Sequence, residues 1–257
     1  MSRSIGILVI KAYLLVFLIL PLLSHSKNLV LAADDWPPYV DRNAEHYGFV
    51  CQLISRAFDK VGIKVHYHFT AWARALETSK KGDVDGTFLW YKTPKRTPFF
   101  YFSKEPLLHI SAVFFHRKDF EFKWNTLDKL TEYRIGAPIG AIISPEFKAL
   151  EEKKILNVIR IKSDISLFKM LYRKRIDLFP HDFFVGYSEL NKHFSSNFTR
   201  IITNHTKPID EKPVYLLLSR KNQDNKEIMK LFDQGFLSLK RSGEYDKTFD
   251  EMILKKE

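Results

Sequence analysis

A single cysteine, Cys51, in 257 residues excludes an intramolecular disulfide, so the core alone must hold the fold. No cysteine stands directly after the N-terminal apolar run, where lipid attachment would require one. There is no G-x-S-x-G, and Cys51 lies within "GFVCQL", where a small apolar filler is its ordinary role. Short repeats and low-complexity linkers are also missing. Beyond the N-terminal region, no apolar run approaches the roughly 20 residues that a membrane-spanning helix needs. Basic blocks are absent too: the net charge of +11 is spread along the chain, which argues against a nucleic-acid partner. What is present, 45% hydrophobic and 28% charged residues, suits a globular chain of one large domain or two modest ones.

Residues 1–26 differ from the rest. Arg3 and Lys11 are their only formal charges, Ala12 to Leu23 is apolar, and small residues follow at Ser24 and Ser26. That layout predicts a secretory signal peptide cleaved before Lys27, with an uncleaved anchor as the rival. Lys11 and Pro21 interrupt any longer span and favour cleavage. Loss of Arg3 and Lys11 takes the charge from +11 to +9.

Strand and helix patterns then alternate. "KNLVLAADDWPPYV" predicts a strand over Leu29–Ala33 that opens into an acidic, aromatic, double-proline turn. Phe49, Leu53, Ile54 and Phe58 have helical spacing, Gly62 stops the helix, and a strand follows through Val65 and Tyr67. "AWARALETSKKGDVDGTFLW" repeats helix, glycine stop and strand. A second block begins at "SAVFFHRKD", continues with a capped helix and strand in "NTLDKLTEYRIGAPIG", and repeats helix then strand in "SDISLFKMLYRKRIDLFPHD". The chain ends in a strand, "VYLLL", and helices over 226–242 and 245–254. This alternation predicts an α/β fold with a parallel sheet, whose ligands bind outside the carboxyl ends of the strands.

Five motifs in register, "GFVCQL", "KGDVDGTF", "TPKRTPFFYFSKEPL", "RIDLFPHD" and "LKRSGEYDKTFDEMI", resemble the type II periplasmic solute-binding proteins of the polar amino-acid branch, family 3. The resemblance covers nearly all of the chain after residue 26. It implies a two-lobed α/β periplasmic binding protein fold of type II, with two hinge strands and a central ligand cleft. Lobe 1 would be residues 27–107 with 215–257, and lobe 2 residues 108–214, with hinges near Pro106 to Ile110 and Glu211 to Tyr215. It further implies a periplasmic monomer that takes an amino-acid-like small molecule. The partner would be an inner-membrane ABC permease or a sensor. No cofactor, metal or catalysis is expected.

By the same resemblance Arg96 grips the ligand's carboxylate, a role suited to a planar fork of donors that keeps its charge. Asp182, after the apolar "IDLFP" strand, would accept an ammonium group, with a helix N-cap as the alternative. His181 is a further candidate beside it. Trp36 and Trp72 would sandwich the ligand's body, with core packing as the alternative. Trp90 and Tyr91 would add a third wall, Asp34 is a further ligand-binding candidate, and Arg74 faces either cleft or solvent. The chain departs from the pattern at Gly140-Ala141, where amino-acid binders place a hydroxyl after the glycine. The Asp34 to Pro37 loop is also one residue short, so an aromatic, cationic or non-amino-acid solute stays open. Asp34, Asp35 and Glu105 could be drawn as acid and base, leaving a dehydratase on this scaffold as a second reading. His66 and His68 share a strand face without an acid or thiol to complete a metal set.

Overall fold

The computed structural model describes residues 28–254, so the expected signal peptide lies outside the described residues. The first block runs β1 (Asn28–Ala33), α1 (Phe49–Asp59), β2 (Lys64–Phe69), α2 (Trp72–Lys81), β3 (Gly86–Trp90) and β4 (Phe100–Phe102). The second holds β5 (Leu108–Arg117), β6 (Arg134–Pro138), α3 (Pro145–Glu152), β7 (Asn157–Ile161) and α4 (Asp164–Tyr172). It continues through β8 (Phe179–Asp182), α5 (Phe183–His193), α6 (Ser196–Thr199) and β9 (Ile202–Asn204). The return is β10 (Asp210–Ser219), α7 (Asn225–Arg241) and α8 (Glu244–Leu254).

These elements form a two-lobed α/β structure. Along the main sheet the order is β2-β1-β3-β10-β5-β8, with β4 also on β10 and β9 on β5. Strands β6 and β7 pair separately in parallel. The long strands β5 and β10 join the lobes, running antiparallel from the Ala112 and Asp210 pair to the Leu108 and Val214 pair.

Each lobe has its own core. In lobe 1, α1 lays Phe49, Leu53, Ile54 and Phe58 against α7, and the cluster includes Leu31, Phe88, Leu216 and Phe232. Fully burying each such side chain contributes about 1.5–3 kcal/mol. In lobe 2 the alternation of β5 sends Phe114 and Phe115 to opposite faces. Phe115 packs with Leu167, Phe168 and Phe179, whereas Phe114 packs with Ile135, Phe147 and Leu178. Asp85, from the "GDVDG" turn, ties lobe 1 together. Its carboxylate accepts from the Val30 amide (2.8 Å) and the Asn222 side chain (2.8 Å), and its carbonyl accepts from the Asn225 side chain (2.9 Å).

Two expectations change. The helix read in "NTLDKLTEY" is only a 3-10 turn at Leu127–Lys129, because Leu127 and Leu130 are already buried there and β6 begins at Arg134. The sheet is mixed: β1 is parallel to β2 and β3, but the returning strand β10 is antiparallel to β3 and β5. No helix among the described residues is long and apolar enough to cross a membrane.

Candidate functional site

The carboxyl ends of β1 and β3 and the turns that follow carry a continuous run of rings. Trp36, in the turn after β1, is held by a hydrogen bond from its amide to the Val40 carbonyl (2.8 Å). Its ring lies 5.1 Å from Tyr39 and 6.5 Å, edge to face, from Trp72 at the start of α2. Trp72 meets Trp90 edge to face at 5.6 Å, and the Trp90 indole N–H is fixed by the Thr87 hydroxyl (2.9 Å). Each ring pair contributes about 0.5–1.5 kcal/mol beyond its buried area. The run therefore presents a rigid apolar wall.

Arg96 closes one end of this wall. Its guanidinium stacks 4.6 Å above the Trp90 ring, and Nη1 donates to the Tyr91 carbonyl (2.9 Å). The "TPKRTPF" turn sets that pose, with the Arg96 amide donating to the Thr93 carbonyl (3.0 Å). Burial lowers the Arg96 pKa and the Tyr91 phenol opposes that shift, yet a guanidinium stays charged at neutral pH. Four of its five N–H donors are left for an incoming anion.

Asp182 closes the other end. It is 7% exposed and caps α5, accepting from the Val185 amide (2.9 Å). The Tyr39 hydroxyl donates to both of its oxygens, at 3.1 and 3.2 Å. The N-cap role set out as the alternative is thus present in the structure, and it does not consume the carboxylate. A carboxylate offers about four lone-pair sites, so beside the Val185 and Phe184 amides and the Tyr39 hydroxyl it can still meet a cationic donor. Tyr39 is wholly buried and carries this link from lobe 1 to lobe 2.

Tyr91 lies between the two charged ends. Burial pushes its phenol upward, Asp210 and Asp182 add to that shift, and Arg96 opposes it. Lys212 sits 5.6 Å from the Tyr91 ring centroid and pairs with Asp210. Asp34 contributes indirectly. The N-cap of α2 has no side-chain bond, and Asp34 Oδ2 accepts the orphan Trp72 amide instead (3.2 Å).

Trp36, Trp72, Trp90, Tyr91, Arg96 and Asp182 therefore fall into one neighbourhood, whereas His181 lies elsewhere. Arg74 is exposed on α2. His181 stacks on Phe179 at 5.0 Å within lobe 2, because consecutive residues of β8 face opposite ways. Tyr39, Asp210 and Lys212 were not singled out from the sequence. The only local signal for Tyr39 is its place directly after the Pro37-Pro38 turn. The Gly140-Ala141 turn is braced by Arg160, whose Nη1 donates to the Pro138 and Ala141 carbonyls (2.6 and 2.9 Å).

Burial raises the Asp182 carboxyl pKa despite the Val185 amide, His181 and Tyr39. A carboxyl raised on folding gives most stability at acid pH and loses it as pH rises through the folded value. Asp182→Asn keeps the acceptor and removes the buried charge. It is expected to melt no lower than wild type at neutral pH and to show a flatter dependence on pH. Thermal melts from acid to neutral pH test this, and a clear loss of stability in the variant at neutral pH refutes it.

No curated protein matches the chain by sequence. Among solved structures, it is similar to the second substrate-binding domain of a putative amino acid ABC transporter from Streptococcus pneumoniae. That pair shares 17% identity and a TM-score of 0.68, covering 88% of this chain and 99% of that one. A histidine kinase sensor domain with similarity to periplasmic binding proteins gives 17%, 0.66, and 89% and 96% coverage. An ancestral amino acid-binding protein, a precursor of cyclohexadienyl dehydratase, gives 18%, 0.61, and 88% and 94%. Likeness at these identities is a likeness of fold. The sequence pattern of one family is matched over residues 29–255, nearly the whole described fold, and by that match the chain belongs to the bacterial extracellular solute-binding proteins, family 3.

Proposed function

We propose that the protein is a periplasmic receptor that closes its two lobes on an amino acid or close relative and delivers it to an ABC permease for import. The observation that carries this reading is the run Arg96, Trp90, Trp72, Trp36, Tyr39, Asp182, which has a cation at one end, a carboxylate at the other and rings between. A zwitterion with an apolar or cationic side chain complements that order. Arg96 takes the carboxylate, Asp182 the ammonium group, and Trp36 and Trp72 the body. In this reading lobe 1 is residues 27–107 and 215–257, lobe 2 is 108–214, and closure bends β5 and β10 where they pair. Export would follow a cleaved signal peptide ending at residue 26.

A thermal-shift screen against amino acids, polyamines and small organic acids tests the proposal. A true ligand at 100 times its Kd should stabilise the protein by roughly 2.7 kcal/mol. Absence of any shift across the amino acids would sink the reading. One observation favours a lyase instead: the buried Asp182 carboxyl is raised, as a proton donor would need. Consumption of a compound that also shifts the melt would establish that second reading.

A further inference from the structure

Lobe 2 holds a second constellation, on the face of β8 turned away from Tyr39. His181 of β8, Asp164 in the first turn of α4 and Glu189 in α5 converge there. One ligand atom from each lies within 4.8 Å of the others, and His181 Nε2 is 3.5 Å from Glu189 Oε2. The His181 side chain is only 12% exposed. His181 Nε2, Glu189 Oε2 and Asp164 Oδ1 are all shut off from solvent, and none has a hydrogen-bond partner. Beyond the His181 and Glu189 ion pair these buried polar atoms make no hydrogen bond, which is costly, and one bound cation would satisfy all three.

We infer that Asp164, His181 and Glu189 bind one divalent first-row transition-metal ion. One imidazole nitrogen and two carboxylate oxygens suit such an ion, and its charge offsets that of two carboxylates in a desolvated place. Coordination at about 2.0–2.2 Å needs donors roughly 3–3.6 Å apart. The His181 and Glu189 atoms already meet that spacing, and a side-chain movement of about 1 Å brings in the third. The surroundings hold the imidazole still: its ring stacks on Phe179 at 5.0 Å and packs near Phe168 at 6.2 Å. Gly186 lets α5 come close, since a Cβ there would lie 2.5 Å from the Phe115 ring and 3.4 Å from the His181 ring. Glu189 is 25% exposed, which leaves a path for the ion from solvent. The site is separate from the aromatic run, so its failure and the failure of the solute-binding reading are distinguishable.

The test is equilibrium dialysis and calorimetry of the chelator-stripped protein with Zn²⁺ and with Mn²⁺. Wild type is expected to bind one equivalent of at least one of these ions and to melt higher with it. Glu189→Gln and Asp164→Asn keep side-chain shape and should each weaken binding at least tenfold, whereas His66→Ala, on exposed β2, should bind as wild type does. Equal affinity in wild type and both lobe-2 variants overturns the inference. So does the lack of saturable binding to wild type, which would leave the cluster as the His181 and Glu189 ion pair beside Asp164.

Discussion

Arg96→Ala should weaken binding of the best amino-acid ligand about 100-fold while leaving the melting temperature of the unliganded protein nearly in place. A charge-assisted hydrogen bond is worth roughly 1.5–3 kcal/mol, and every 1.4 kcal/mol is tenfold in affinity. The folded state loses less. Arg96 makes one backbone hydrogen bond and one stack on Trp90, both at a partly open surface, where such contacts contribute about 0.5–1 kcal/mol each. Lysine at position 96 restores the charge but not the planar fork or the stacked face, so Arg96→Lys should recover only part of the affinity. Calorimetry on the three proteins with one ligand decides the matter. Equal Kd for wild type and Arg96→Ala removes the arginine from the site, and because the ligand is first identified on wild type, that result leaves solute binding itself standing.

Much of the site was legible because its parts sit in short, stiff, locally coded segments. The double-proline turn after β1, the start of α2 and the proline-bounded turn around Arg96 are each set by residues within a few positions of one another. Their aromatics then meet because β1, β2 and β3 pair in parallel and bring successive turns to one edge. Long-range pairings leave no such trace. Tyr39 reads as one more tyrosine until Asp182, 143 positions away, supplies its acceptor. His181 follows the same logic: beside Asp182 in sequence it looks like a cleft residue, but strand alternation turns it into lobe 2 toward Asp164 and Glu189. The helix expected near Leu127 failed for a related reason. Two buried leucines three positions apart satisfy a single turn as well as a helix, and the strand beginning at Arg134 takes the remaining chain.

Gly235→Ala is expected to lower the melting temperature by about 5–10 °C, against the direction that helix propensity alone would give. Alanine in a helix interior is better than glycine by about 0.8–1.0 kcal/mol. Here, however, the added Cβ would sit 2.0 Å from the Ala57 carbonyl oxygen and 2.9 Å from its carbon. Those are backbone atoms of α1, so no rotamer change relieves the clash, and α7 must draw back from α1 by about 1 Å or more to reach ordinary contact. Withdrawal opens the contact beneath, where Phe58 and Phe232 pack at 5.0 Å and Phe232 stacks on Phe236 at 5.4 Å. Phe232 is wholly buried and Phe236 is 1% exposed, so lost packing there is not replaced by solvent contact. Overpacking of this kind costs about 1–3 kcal/mol and occasionally more, and the close backbone approach places this site at or above the upper end. The net loss after the propensity gain is about 2 kcal/mol or more, and at about 2–4 °C per kcal/mol it gives the stated shift. The strain also reaches the lobe junction: Phe236 packs on Tyr245 at 5.9 Å, and the Tyr245 hydroxyl donates to the Leu107 carbonyl (2.9 Å) just before β5. Gln234→Ala, one position away on the exposed face of α7, gains propensity without the clash and should melt within a degree or two of wild type. If Gly235→Ala melts as high as Gln234→Ala, the α1 and α7 backbones do not approach as closely as the structure places them.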